Sequence, residues 1–140
     1  MMKKKYFFII ISWAAVLACM GAIFFLSAQN GNESSDTSGW LWQLLKLPVS
    51  EAFLRTAAHF LEFTGLSVLV FNALYQTFGC IKPYVSFAVT SAYAATDEIH
   101  QLFVEGRACT FSDWLVDSLG AACGIAVICI LIFIKRGRFR

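Results

Sequence analysis

Charge is what this sequence has least of. Asp, Glu, Lys and Arg make up 14% of its 140 residues, against about a quarter in soluble domains. The formal net charge of +2 and the lack of any basic stretch interleaved with aromatics argue against nucleic acid as a partner. Paired cysteine motifs are missing too. Cys19, Cys80, Cys109, Cys123 and Cys129 are scattered, with no CxxC and no His/Cys spacing, so no zinc site is expected. The acids have no fixed ligand spacing either, so neither a metal nor any other cofactor is expected.

What is present in excess is apolar. Hydrophobic residues form 59% of the chain, more than a soluble core of this size buries, and they fall into four runs: 6–27, 56–78, 83–103 and 113–134. Each is about 20 residues long, enough to cross a hydrocarbon core of about 30 Å. The expected architecture is therefore an all-α integral membrane protein with four transmembrane helices. At this length, residues 1–140 read as a single domain.

The first run opens like a signal peptide, and Val16-Leu17-Ala18-Cys19 imitates a lipoprotein cleavage box. The apolar stretch continues through Leu26, however, which is longer than a signal core, so a retained first span is expected. Its aromatics serve packing and lipid contact. Residues 28–38 are polar and turn-forming, and residues 40–47, with Trp40 and Trp42, read as a short interfacial helix. Pro48 ends that helix and Ser50 can cap the next.

Four spans put both termini and the 78–83 connection on one side. That side holds Lys3, Lys4, Lys5, Lys82, Lys135, Arg136, Arg138 and Arg140, eight of the eleven positive residues. The positive-inside rule then makes it cytoplasmic, so the termini face the cytoplasm of a cell membrane. None of the nine acids falls on that side. Glu62, Asp97, Glu98, Asp113 and Asp117 lie in the spans or at their edges, always towards the outer end. At 1.5 Å per residue, Glu62 is about 10 Å below Arg55 and Asp117 about 6 Å below Asp113.

Helical phase sorts these groups. Arg55, His59 and Glu62 share a stripe that turns apolar at Leu66 and Leu69. Ser86, Thr90, Ala94, Asp97 and Gln101 form a second stripe, with Glu98 at its edge and His100 pointing away. Asp113, Asp117, Gly120 and Gly124 form a third. Its carboxylates are above a Gly-x-x-x-Gly suited to close helix contact, within the chain or between subunits of a homo-oligomer. The third span carries six strongly apolar residues against two acids. Each mid-helix acid costs about 3 kcal/mol, so this span needs its neighbours to stay in the membrane. Pairing of its acids with Arg55, Arg107 and His59 would help.

Plainer roles compete at several positions. Asp113, after Ser112, suits a helix start, His59 and Glu62 could be a polar pair between helices, and Arg55 and Arg107 could snorkel. No such role fits Asp97 and Glu98 near a helix C-terminus, where acids are unfavourable.

The three polar blocks Arg55-Thr-Ala-Ala-His59-Phe-Leu-Glu62, Asp97-Glu98-Ile-His-Gln101-Leu-Phe-Val-Glu-Gly106-Arg107 and Asp113-Trp-Leu-Val-Asp117-Ser-Leu-Gly120-Ala-Ala-Cys-Gly124 resemble those of the VanZ-like membrane proteins. The stretch Ser27-Ala28-Gln29 also resembles that family's segment after the first span, and Asp117 stands where the family often carries Asn. The resemblance covers essentially the whole chain and implies an association with resistance to teicoplanin-type glycopeptides, as for the founding member. It does not imply a reaction.

Three functions follow as alternatives. The first is an envelope protein whose outward-facing pocket binds an amphiphile: a membrane lipid headgroup, a lipid-linked wall precursor or a lipoglycopeptide. Its ligand-binding candidates are Arg55, His59, Glu62, Asp97, Glu98, Gln101, Arg107, Asp113 and Asp117. The second is an enzyme on the same ligand class, with Glu62, Asp97, Glu98 and His59 as acid/base candidates. Against it, no nucleophile with a recognisable partner is present. The third, a proton-coupled transporter, fits intramembrane acids only generically, because the polar stripes stop in the outer third.

Overall fold

The structure is a computed structural model that describes residues 2–28, 51–105, 107 and 109–137. The expected interfacial helix at 40–47 and the Ser50 cap lie outside these residues. Four α-helices and no strand are found among the described residues: α1 Met2–Ser27, α2 Glu51–Phe78, α3 Pro83–Gln101 and α4 Phe111–Gly137.

The ends of these helices have local causes. Gly79 adopts φ +70° and its N–H returns to the Tyr75 carbonyl at 2.8 Å, closing α2 with the left-handed residue that glycine supplies most easily. Pro83 occupies the first turn of α3, where its missing N–H costs nothing. α3 ends at Gln101, two residues before the expected boundary. There the N–H groups of Leu102, Phe103 and Val104 bond three residues back, to Ile99, His100 and Gln101, and tighten the chain into a turn. α4 begins at Phe111, two residues early. Thr110 caps it: its Oγ1 accepts the Asp113 N–H at 3.1 Å and donates to Asp113 Oδ2 at 2.6 Å. Asp113 thus stands in the first turn of α4, as its place after Ser112 suggests, with Thr110 as the cap.

The helices run alternately up and down, and α2 is central. It packs most extensively on α4, then on α1 and α3. Gly120 and Gly124 explain the tightest of these contacts. A Cβ on Gly120 would overlap the Phe60 carbonyl, and one on Gly124 the Thr64 carbonyl and the Ser67 hydroxyl. The Gly-x-x-x-Gly is therefore spent on the α2–α4 contact inside one chain. Thr64 Oγ1 donates across it to the Gly120 carbonyl at 3.0 Å.

Other polar rungs tie the remaining pairs. Asn72 Nδ2 donates to Ser12 Oγ at 3.1 Å and Trp13 Nε1 to Thr77 Oγ1 at 3.0 Å, both between α1 and α2. Tyr93 OH donates to the Met20 carbonyl at 2.6 Å, Ser86 Oγ to the Ser67 carbonyl at 3.0 Å, and Trp114 Nε1 to the Ser91 carbonyl at 3.1 Å.

Outside and inside have the composition of a protein in lipid. Among the described residues eleven buried ones are apolar and eleven are polar or charged, while Tyr6, Phe7, Phe25, Leu61, Leu119 and Phe133 are among many large apolar side chains left exposed. α1, α2 and α4 are each long and apolar enough to cross a membrane. The protein is a multi-pass membrane protein. α3 does not join that set, and its buried residues give the reason: Ser86, Thr90, Ser91, Ala94, Asp97, Glu98 and Gln101 include only one that is apolar.

Candidate functional site

At the end of the bundle where α2 and α4 begin and α3 stops, a cleft of about 270 Å³ opens between them. Arg55, Thr56 and His59 line it from α2, Glu98 and Gln101 from α3, Arg107 and Thr110 from the connection, and Asp113, Val116 and Asp117 from α4. Seven of the nine ligand-binding candidates thus share one wall-to-wall space. Glu62 and Asp97 are not among its lining residues.

Asp97 is 2% exposed and faces α1. Its Oδ2 accepts from Ser27 Oγ at 2.8 Å and from Gln101 Nε2 at 3.1 Å. The partners it gains are a hydroxyl at the end of α1 and an amide one turn along its own helix, where the sequence suggested Arg55, Arg107 and His59. Gln101 turns its NH2 towards Asp97 and so keeps its carbonyl for other partners. Glu62 is half-buried on α2, close enough to Asp97 and Arg107 for their charges to act on it. His100, expected to point away, stacks on Phe24 of α1 with ring centroids 4.0 Å apart.

The upper acids are engaged in holding the connection. Glu98 Oε2 accepts the Thr110 N–H at 3.1 Å, a backbone donor that the capping box of α4 leaves free. Asp113 is occupied by Thr110 as described. A carboxylate near the C-terminus of α3 is therefore tolerated because it completes the N-terminus of α4, where backbone amides favour negative charge.

The floor of the cleft differs. Asp117 is 1% exposed, and its Oδ1 lies 4.0 Å from His59 Nδ1, longer than a hydrogen bond. Asp117 Oδ2, His59 Nδ1 and Arg55 Nε are all buried without a hydrogen-bond partner. Buried polar groups ordinarily find partners; of the five buried side-chain atoms without one among the described residues, these three belong to residues lining the cleft, and the other two, Asp97 Oδ1 and His100 Nε2, do not. Above them, burial and the neighbouring Arg55 charge pull the Arg107 guanidinium below its ordinary value, with Asp97, Glu98 and Glu62 opposing. A guanidinium keeps its proton under such pressure, so two cations face the same cleft.

Thr56, Thr110 and Val116 are lining residues that the sequence did not single out. Thr110 had a readable signal, the Thr-x-x-Asp spacing to Asp113. No group of three or more His, Cys, Asp or Glu arranged to hold a metal ion occurs among the described residues.

Comparison with curated proteins and with solved structures finds no match. The family model described as VanZ/LLP1 matches residues 11–133, which takes in α2, α3, most of α1 and α4 and every described residue lining the cleft, and the chain belongs to that family.

Proposed function

We propose that this protein is a cell-envelope component whose cleft binds the polar head of an amphiphile: a lipid headgroup, a lipid-linked wall precursor or a lipoglycopeptide. One observation carries the reading. Three helices bring guanidinium, imidazole, carboxylate and amide groups to one cleft, with Arg55 Nε, His59 Nδ1 and Asp117 Oδ2 unpartnered in it. Buried polar groups ordinarily find partners, and three of the five unpartnered buried side-chain atoms among the described residues belong to residues of this one cleft.

In this reading α3 is the fourth span. Its 19 residues reach about 28 Å, close to the hydrocarbon thickness, and Tyr84, Val85, Phe87 and Ile99 present apolar surface outward. The excess of Lys and Arg on the side of the termini then makes that side cytoplasmic, and the cleft opens outward at headgroup depth of the cytoplasmic membrane. Membership of the VanZ/LLP1 family supports a contribution to glycopeptide resistance of the teicoplanin type.

The test is extraction of the full chain from its membrane followed by mass spectrometry of the amphiphiles that accompany it. Wild type is expected to retain an amphiphile that Arg55→Gln and Gln101→Ala lose while still accumulating in the membrane. Equal retention by all three would contradict the reading.

The approach of His59 to Asp117 favours a second reading, acid/base catalysis on the same ligand. Of the four acid/base candidates Glu62, Asp97, Glu98 and His59, only Glu98 and His59 line the cleft, and this reading pairs His59 with Asp117. Envelope-lipid profiles of cells with wild type and with Asp117→Asn separate the two, since a binding protein leaves both profiles the same.

A further inference from the structure

We propose that the floor of the cleft, Asp117 with His59 beside it, takes a primary ammonium, and that Arg55 and Arg107 hold an anion of the same ligand nearer the mouth. The proposal rests on the reading of the cleft as a headgroup site and assigns its two ends.

The floor has acceptors and no donor to fill them. Glu98 and Asp113 are engaged by the backbone and hydroxyl of Thr110, whereas Asp117 Oδ2 has no partner. His59 Nδ1 is likewise buried without a partner and accepts in the tautomer that carries the ring proton on Nε2; it lies 4.0 Å from the other oxygen of the same carboxylate, Asp117 Oδ1. Neither can satisfy the other, since neither brings a proton. Both lie within reach of one N–H-bearing cation standing about 2.8 Å from each.

A primary ammonium has three N–H donors for such a place. A quaternary ammonium has none and is instead bound by faces of Trp, Tyr or Phe. None of these is among the described residues lining the cleft.

The mouth has the opposite chemistry. Arg55 and Arg107 repel each other across it, and a phosphate or carboxylate between two guanidiniums removes that repulsion with charge-assisted hydrogen bonds. Arg55 sits one helical turn above His59, and Asp113 one turn above Asp117, so the two ends are separated by about 6 Å. An amine and an anion joined by a short linker fit that span.

The probes are O-phosphoethanolamine, phosphocholine and inorganic phosphate, titrated calorimetrically against the full chain in phosphatidylglycerol nanodiscs. Phosphoethanolamine is expected to bind at least tenfold more tightly than phosphocholine. Asp117→Asn removes that preference but keeps phosphate binding, and Arg55→Gln weakens all three. Replacing the nanodisc lipid with phosphatidylethanolamine distinguishes the source: competition with the soluble probe means that a lipid headgroup enters, and its absence means a solute or peptide-borne amine.

Equal binding of phosphoethanolamine and phosphocholine by wild type overturns the ammonium assignment, and needs no variant to fold. If phosphate still binds and depends on Arg55, the headgroup-site reading survives that result. If none of the three probes binds, both fall.

Discussion

Asp97 shows what a single residue's surroundings can do to an inference. An acid in an apolar helix asks for a reason, and the sequence offered ligand binding. The structure gives Asp97 two hydrogen bonds, from Ser27 and Gln101, in a place apart from the cleft lining. Its effect on the site runs through Gln101, whose amide it orients. Asp97→Ala is therefore expected to lower stability by about 1–3 kcal/mol, the cost of leaving buried polar partners unmet, read as a lower melting temperature in detergent. Thr110→Val is expected to cost about 1 kcal/mol through the lost cap of α4, by the same measurement. That Asp97 stood on a buried face was legible, because Ser86, Thr90, Ala94, Asp97 and Gln101 keep helical phase and are all buried. Its partner was not, since Ser27 lies 70 residues away on another helix and phase within one helix is silent about the neighbour. For the same reason Glu62 shared a stripe with Arg55 and His59 yet does not line the cleft.

At the scale of the element, the four helices were readable from apolar runs of membrane length, and their ends shifted by a few residues where caps and turns decide. The Gly-x-x-x-Gly of α4 was readable as a packing surface, with its partner left open. The structure places it against Phe60 and Thr64 of α2. Gly124→Val is expected to separate α2 from α4 at a cost of about 1–3 kcal/mol, seen as a lower melting temperature. An effect on subunit association with unchanged monomer stability would contradict this. α3 is the element that depends most on its neighbours. Glycosylation mapping of membrane insertion should find isolated α3 mostly outside the membrane and α2 mostly inserted, because the buried face of α3 holds two acids and four other polar residues. Full insertion of isolated α3 would show that its polar face needs no cover.

At the scale of the molecule, the described helices form a bundle that buries polar as well as apolar groups and exposes many large apolar ones, and its cleft at one end gives that arrangement a direction. Two of its own cysteines report the direction. Cys80 and Cys109 are both exposed, the first between α2 and α3 and the second between α3 and α4. A membrane-impermeant maleimide added to intact cells should label a variant retaining Cys109 alone and spare one retaining Cys80 alone; the reverse pattern would turn the cleft to the cytoplasm. The central claim, that the cleft holds the polar head of an amphiphile, is tested most directly by a crystal structure of the full chain grown from a lipidic mesophase doped with its envelope lipids. Density is expected in the cleft in contact with Arg55, Arg107 and Asp117 and continuous with an apolar tail. A cleft filled by water alone, with headgroups only along the outer rim of the bundle, would contradict it.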